Sequence, residues 1–169
     1  GDDETCLYVS VDNERWAAGV PAGRLQSWER ELHPEYPTTK TYKALFHAAL
    51  LMAETESIDL VVTGLPVSQF HEPQRKSDLV QRLKGVHQVT PKRSITVRDV
   101  KVLPQPAGAY MDLVQTGGDL GLIEEGRVVV IDPGFFSVDW VALEAGEIRY
   151  SSSGTSLQAM SVLLETIDK

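Results

Sequence analysis

The chain has 169 residues, of which 42% are hydrophobic and 24% charged, as is typical of one globular domain or two small lobes. A formal net charge of -8 disfavours direct binding to nucleic acid, and no apolar run approaches the roughly 20 residues that span a bilayer. We therefore expect a cytoplasmic protein without membrane or direct nucleic-acid contacts. Because the chain begins without Met and ends inside a predicted helix, we also expect a longer protein around it.

The first predicted elements are a β-hairpin and a buried helix. Residues 7–11 alternate apolar side chains with others, and Asp12-Asn13 supplies a turn into a second strand. After a loop-like stretch, Thr39 is placed to cap the next helix. Apolar side chains then recur at the spacing of a single helical face, at Tyr42, Leu45, Phe46, Ala49, Leu50 and Ala53.

The second half of the pattern alternates strands with helices. Residues 58–65 form a continuous apolar run, which indicates a strand buried on both faces at the centre of a sheet. A polar helix is expected over 75–83. Further extended segments are expected over 95–103, 127–132, 137–143 and 147–151, with helices over 107–114 and 156–167. This order predicts an α/β fold, with a mixed sheet and flanking helices.

An acidic residue at the end of a predicted buried strand is the first candidate for chemistry. Asp132 directly follows the run 128–131, and Gly134 allows a tight turn into the next strand. Backbone N–H groups in such a turn can bind an anion, and a carboxylate at a strand end suits a hydrated Mg²⁺ ion. Asp-Pro-Gly is equally ordinary hairpin chemistry, so the residues alone leave both interpretations open.

Two further segments also have a functional and a structural interpretation. Gln105 lies between two prolines where an extended segment meets a predicted helix; its amide suits either orienting a water or beginning that helix. Residues 151–157 are small and precede a predicted helix, as expected of an anion or ribose site or of a simple N-cap. The four histidines and Cys6 do not have the spacing of a metal site.

The order of these segments resembles the plasmid-segregation actins, the ParM/StbA-like branch of the actin-fold ATPases. The similar segments are residues 58–66, 95–104, 130–139 and 152–157. The resemblance implies an actin-like, ribonuclease H-like fold, with residues 1–125 in lobe I and residues 126–169 beginning lobe II. The Pro-Gly-Phe-Phe run at 133–136 is similar to a subgroup from plasmid-related gene cassettes.

The resemblance also implies roles for individual residues. Asp132 would hold Mg²⁺ through water, and Gln105 would orient the water that attacks the terminal phosphate of ATP. The remaining matched positions are Gly134, Phe135 and Ser137 around the β- and γ-phosphates, and Gly154 near the ribose. The family's first phosphate loop and adenine-binding glycines have no counterpart in residues 1–169. We therefore expect this chain alone to bind ATP weakly and to be inactive.

For the intact protein, the resemblance implies an ATPase that forms filaments and separates plasmid copies. A basic DNA-binding adaptor protein would then carry the contact with DNA, because the chain itself is acidic. Phe135 and Phe136 replace the small residues usual in the second phosphate loop. Two alternatives therefore stay open, namely a catalytically impaired actin-fold scaffold and a non-polymerising actin-like assembly adaptor.

Overall fold

The computed structural model describes residues 4–21, 39–104, 126–133, 138–156 and 158–161. The helices are α1 (Lys40–Met52), α2 (Val67–Phe70) and α3 (Pro73–Leu83), and a 3-10 turn covers Tyr150–Ser152. The strands are β1 (Glu4–Val11), β2 (Glu14–Pro21), β3 (Ser57–Ile58), β4 (Leu60–Leu65), β5 (Gly85–Thr90), β6 (Arg93–Val97), β7 (Val100–Pro104), β8 (Arg127–Pro133), β9 (Val138–Glu144), β10 (Glu147–Ile148), β11 (Gly154–Ser156) and β12 (Gln158–Ser161). The helix predicted over 107–114 lies outside the described residues.

Strands β1 and β2 form the predicted hairpin. Their antiparallel register closes at Val11 and Glu14, around a turn in which Asp12 and Asn13 have φ values of 50° and 67°. Two consecutive residues of positive φ are the backbone geometry of the tightest hairpin turns, where Asp and Asn are preferred. The hairpin is therefore specified by its turn as well as by its alternating pattern.

Helix α1 begins where the sequence predicts and is buried on more than one face. The Thr39 hydroxyl accepts a hydrogen bond from the backbone N–H of Tyr42 at 3.1 Å, which confirms the predicted N-cap. Residues 44–50 are all buried, because α1 contacts β1, β2 and β5 as well as β8 and β9. The single apolar stripe of the prediction thus underestimates the burial. Among the described residues, no helix is long and apolar enough to cross a membrane.

The main sheet has the order β10-β9-β8-β4-β7, and β11 also pairs with β9. Strand β4 is parallel to both β7 and β8, while β9 is antiparallel to β8. All six residues of β4 are buried, which confirms the prediction of a central strand covered on both faces. Strands from both predicted lobe segments lie in this sheet, and the assignment of these segments to two lobes stays a prediction.

Side chains alternate between two hydrophobic clusters on the two faces of this sheet. Ile131 and Val61 belong to the larger cluster, which includes α1 and the hairpin. The smaller cluster consists of Leu60, Val62, Val128, Val130, Val141 and Leu143. This alternation defines the face to which each polar side chain at the ends of β8 and β9 projects.

The extended segment predicted over 95–103 is two strands in two sheets. β6 pairs with β3 and β5 in a three-stranded sheet, whereas β7 joins the main sheet beside β4. Strand β5 has no counterpart in the prediction. Its inward residues are His87 and Val89, and Val86 is 70% exposed, so its hydrophobic pattern does not match its burial.

The prediction of a closing helix over 156–167 is wrong in its described part. Residues 158–161 form β12, which pairs antiparallel with β2 from Gly19 to Trp16. Pairing with β12 provides backbone partners along the second edge of β2, and this tertiary requirement overrides a helix-like spacing of apolar residues.

Ser153 completes the main sheet at a gap between β10 and β11. Its hydroxyl accepts a hydrogen bond from the backbone N–H of Ala142 at 2.9 Å and donates one to the carbonyl of Arg149 at 2.8 Å. We expect Ser153→Ala to lower the free energy of unfolding by about 1–3 kcal/mol, because it leaves a buried N–H without its partner. Urea denaturation would measure this loss. Ser151→Ala, at an exposed position of the same turn, should change it by less than about 0.5 kcal/mol.

Candidate functional site

The carboxyl ends of three parallel strands meet at one edge of the main sheet. Leu65 in β4 is the register partner of Pro104 in β7. On the other side of β4, Val62 pairs with Val130, so Asp132 reaches the same level two residues later. In open α/β sheets, ligands bind in the crevice outside the carboxyl ends of parallel strands. We call this edge, with Leu65, Pro104 and Asp132, the carboxyl edge.

Two buried carboxylates face each other at the carboxyl edge. Asp132 in β8 and Asp139 in β9 are direct register partners and are only 4% and 5% exposed. Directly opposite residues project to the same face with Cβ atoms about 4.5–5.5 Å apart. That face carries the smaller hydrophobic cluster. Two carboxylates at this separation repel each other when both are ionised, which favours a bound cation or a shared proton.

The two carboxylates at the carboxyl edge suit Mg²⁺ better than a metal ion whose ligands must all come from protein side chains. Mg²⁺ sites commonly use one or two carboxylates and complete the octahedron with waters and phosphate oxygens. Asp132 and Asp139 supply two such groups. Within the described part of the chain, no group of three or more His, Cys, Asp and Glu side chains forms a site for a metal ion.

Gly154 lies close to this acidic pair, on the far side of β9. It pairs with Trp140, and the next residue, Thr155, is the register partner of Asp139. The indole Nε1–H of Trp140 donates to the carbonyl of Ser152 at 3.1 Å and holds the segment against the sheet. Gly154 begins a strand and does not precede a helix, so the helix-terminus explanation of its role is wrong.

Tyr42 at the start of α1 interacts electrostatically with the carboxyl edge. Burial raises the pKa of Tyr42 to about 12, while hydrogen bonding to Thr63 and the charge of Arg82 act in the opposite direction. The Asp132 carboxylate contributes a further increase to this pKa. Tyr42 therefore stays protonated at neutral pH and adds a neutral hydroxyl near the end of the sheet.

The other predicted site residues are Gln105, Gly134, Phe135 and Ser137, and they lie outside the described residues. Pro104, which directly precedes Gln105, ends β7 at the carboxyl edge. β8 and β9 pair on either side of residues 134–137, so the Asp-Pro-Gly run opens a hairpin. The hairpin agrees with both interpretations of this run, and a role in anion binding stays a prediction.

Asp139 is a candidate that the sequence interpretation missed. The strands close at Pro133 and Val138, and this register makes residue 139 the partner of residue 132. The predicted strands over 127–132 and 137–143 would instead have paired residue 132 with residue 137, so the sequence interpretation did not bring the two acids together.

A comparison with protein families decides the kinship of the chain. A family model described as actin-like proteins, N-terminal domain, matches residues 1–108. The chain belongs to this family. The match covers the hairpin, α1, β4 and β7 of the actin-like domain, and it ends before Asp132. A search of curated proteins finds no match to the chain. The predicted membership of the actin-like family is thus confirmed, and a role for Asp132, which lies beyond the matched residues, stays a prediction.

Proposed function

We propose that the chain is part of an actin-like ATPase that binds ATP with Mg²⁺ at the carboxyl edge. The intact protein would have the ribonuclease H-like actin fold, with a first lobe up to residue 125 and a second lobe from residue 126. It would act in the cytoplasm as a filament in plasmid segregation, in the ParM/StbA-like branch, and contact DNA through a basic adaptor protein.

One observation carries this proposal: the described parts of the four segments that resemble the plasmid-segregation actins come together in space. At the level of Asp132 the sheet runs β7, β4, β8, β9 and β11. These strands contain the ends of residues 95–104 and 58–66, the acid-containing hairpin and Gly154. Segments up to about 90 residues apart in sequence thus reach one edge, as a shared ligand site requires.

In this proposal each group has a specific task. Asp132 would hold the water shell of the ion, with Asp139 accepting hydrogen bonds from the same waters. Gln105, following the end of β7, would orient the attacking water by its amide. Bound Mg²⁺ would neutralise the charge that develops on the phosphate oxygens. The N–H groups of residues 134–137 and the backbone at Gly154 would position the phosphates and the ribose.

The assembly part of the proposal predicts nucleotide-dependent polymerisation of the complete protein. Light scattering should rise on addition of ATP with Mg²⁺ and stay at baseline with EDTA, and phosphate release should accompany it. The EDTA sample is the matched control, because it keeps the nucleotide and removes only the ion. Neither scattering nor phosphate release with Mg²⁺ would contradict the filament function.

The two alternative functions give other results in the same samples. A non-polymerising adaptor would bind nucleotide and stay monomeric or dimeric in sedimentation. A catalytically impaired scaffold, which Phe135 and Phe136 in the phosphate turn would favour, would show no magnesium-dependent heat with ATP in calorimetry. Either result would replace the filament proposal while keeping the actin-like family.

A further inference from the structure

Two buried histidines contact each other where α1 packs against β5. His47 in α1 and His87 in β5 have ring centroids 5.6 Å apart at an interplanar angle of 66°. They are 2% and 8% exposed, and the ring of Phe46 packs edge-on against His87 at 5.1 Å. The pair is therefore enclosed by apolar and aromatic surroundings.

Each imidazole has its proton fixed by a backbone carbonyl. His47 Nδ1 lies 2.7 Å from the carbonyl oxygen of Ser10, and His87 Nε2 lies 2.7 Å from that of Leu83. A carbonyl only accepts hydrogen bonds, so both nitrogens carry hydrogen. The second nitrogen of His47, Nε2, is buried and has no hydrogen-bond partner among the described residues. Protonation of Nε2 would therefore create a buried positive charge whose N–H has no hydrogen-bond acceptor among the described residues.

The pair lies where two small sheets approach each other. β1 is an edge of the sheet β1-β2-β12, and β5 is an edge of the sheet β3-β6-β5. β1 and β5 are in contact, but in the described residues no backbone ladder joins them. The hydrogen bond from His47 to Ser10 instead ties β1 to α1. We call this contact between β1 and β5, together with the adjoining pair His47 and His87, the seam.

Burial is the main influence on the charge state of these rings. It lowers the pKa of His47 to about 4, and it also lowers the pKa of His87. The hydrogen bonds to the carbonyls of Ser10 and Leu83 act in the opposite direction and raise the pKa of His47 and His87, respectively. Lys43 on α1 lowers the pKa of both rings, and the His47 pKa is lowered further by His87 and raised by Asp12 in the hairpin turn. Between pH 4 and about 6.5 an open seam binds more protons than a closed one, so opening becomes more favourable as pH falls.

We propose that His47 and His87 form an acid-sensitive latch that holds the β1–β2 hairpin closed against α1 and β5. Above pH 7 both rings are neutral, and their N–H groups donate hydrogen bonds to the backbone carbonyls of Ser10 and Leu83. In acid, a proton on either ring creates a buried cation beside the other imidazole, and opening the seam exposes it to water. This device is independent of the proposed nucleotide function.

Hydrogen exchange of the whole chain at pH 7 and pH 5 tests the latch. Protection factors, which divide out the intrinsic pH dependence of exchange, should fall in β1 and β5 by at least roughly 20-fold, the ratio expected for His47 alone with a pKa near 4 when closed and 6.5 when open. Protection in β4 and β8 should fall much less. An equal fall in all strands, or no fall in β1 and β5, would overturn the proposal.

Matched variants separate the latch from general acid sensitivity. His47→Asn and His87→Gln each keep a donor near the position of the imidazole N–H and do not titrate. The double variant should therefore lose the pH dependence of β1 and β5 protection, whereas His71→Gln, at an exposed position, should keep it. Retention of this pH dependence in the double variant would overturn the proposal.

If that variant does not fold, NMR titration of the two rings in the native chain decides. The latch requires both rings to stay neutral at pH 6 in the folded chain, and an ordinary pKa near 6.5 for both contradicts it.

Discussion

Replacing Gly126 with alanine is expected to lower the free energy of unfolding by about 2–3 kcal/mol. Gly126 precedes β8 with a φ of 89°, and a Cβ atom there would lie 2.4 Å from Asp59 Oδ2. That oxygen accepts a hydrogen bond from the backbone N–H of Arg127 at 2.8 Å. The substitution therefore adds backbone strain and displaces a carboxylate that fastens the start of β8 to the residue before β4. Urea denaturation with a fixed m-value would measure the change.

Gly85→Ala is the matched control for Gly126→Ala. Gly85 also has a positive φ, of 108°, but a Cβ atom there would have no atom within 4 Å. Gly85→Ala should therefore lower the free energy of unfolding only by the backbone strain, about 1 kcal/mol. In an Asp59→Ala background, where the obstructing oxygen is absent, Gly126→Ala should cost no more than Gly85→Ala. Equal losses for the two glycine substitutions in the native background would show that the contact with Asp59 is unimportant.

Asp132→Asn is expected to reduce ATP turnover by the complete protein roughly 100-fold, the scale on which single electrostatic groups and metal-orienting residues act. The amide keeps the shape of the side chain and removes its charge, so a hydrated Mg²⁺ ion loses its principal anchor. Steady-state phosphate release by the complete protein would measure this loss.

Asp78→Asn is the control for Asp132→Asn. Asp78 is an exposed carboxylate on α3 whose oxygen accepts a hydrogen bond from Gln74. The Asp78→Asn substitution makes the same chemical change as Asp132→Asn, but outside the pair of facing carboxylates, and it should leave ATP turnover unaltered. If Asp132→Asn also turns over ATP at the native rate, Asp132 does not hold the ion.

Much of the fold followed from local sequence signals. The hairpin turn at Asp12-Asn13 and the N-cap at Thr39 are specified by residues within a few positions of the feature. The central position of β4 was evident because parallel strands that are covered on both faces require an unbroken apolar run. These are the cases in which local preference and tertiary burial agree.

The errors arose where a distant contact decides the structure. β5 buries a histidine and exposes a valine, because His87 finds its partners in Leu83 and His47. β12 is a strand because β2 is available to pair with it. Neither partner can be identified from the periodicity of the segment itself.

The candidate site was predictable in its main acid and not in its surroundings. Asp132 stood out as a carboxylate at the end of an apolar strand. Its neighbour Asp139 depends on the hairpin register, and the approach of Tyr42 depends on how α1 packs against the sheet. Gly154 was predicted before a helix, and instead it extends the same sheet at the level of the acids.

Paramagnetic relaxation by Mn²⁺ in the presence of ATP tests the central claim most directly, because it locates the ion and detects weak binding. Substituted for Mg²⁺, the metal should broaden the amide signals of Gly64, Asp132 and Asp139 at the carboxyl edge before those of the turn Ala145-Gly146 at the opposite end of β9. The Asp132→Asn variant should lose this selectivity. Broadening centred on the opposite end of the sheet, or equal in both regions for the native chain, would contradict a magnesium nucleotide site at Asp132.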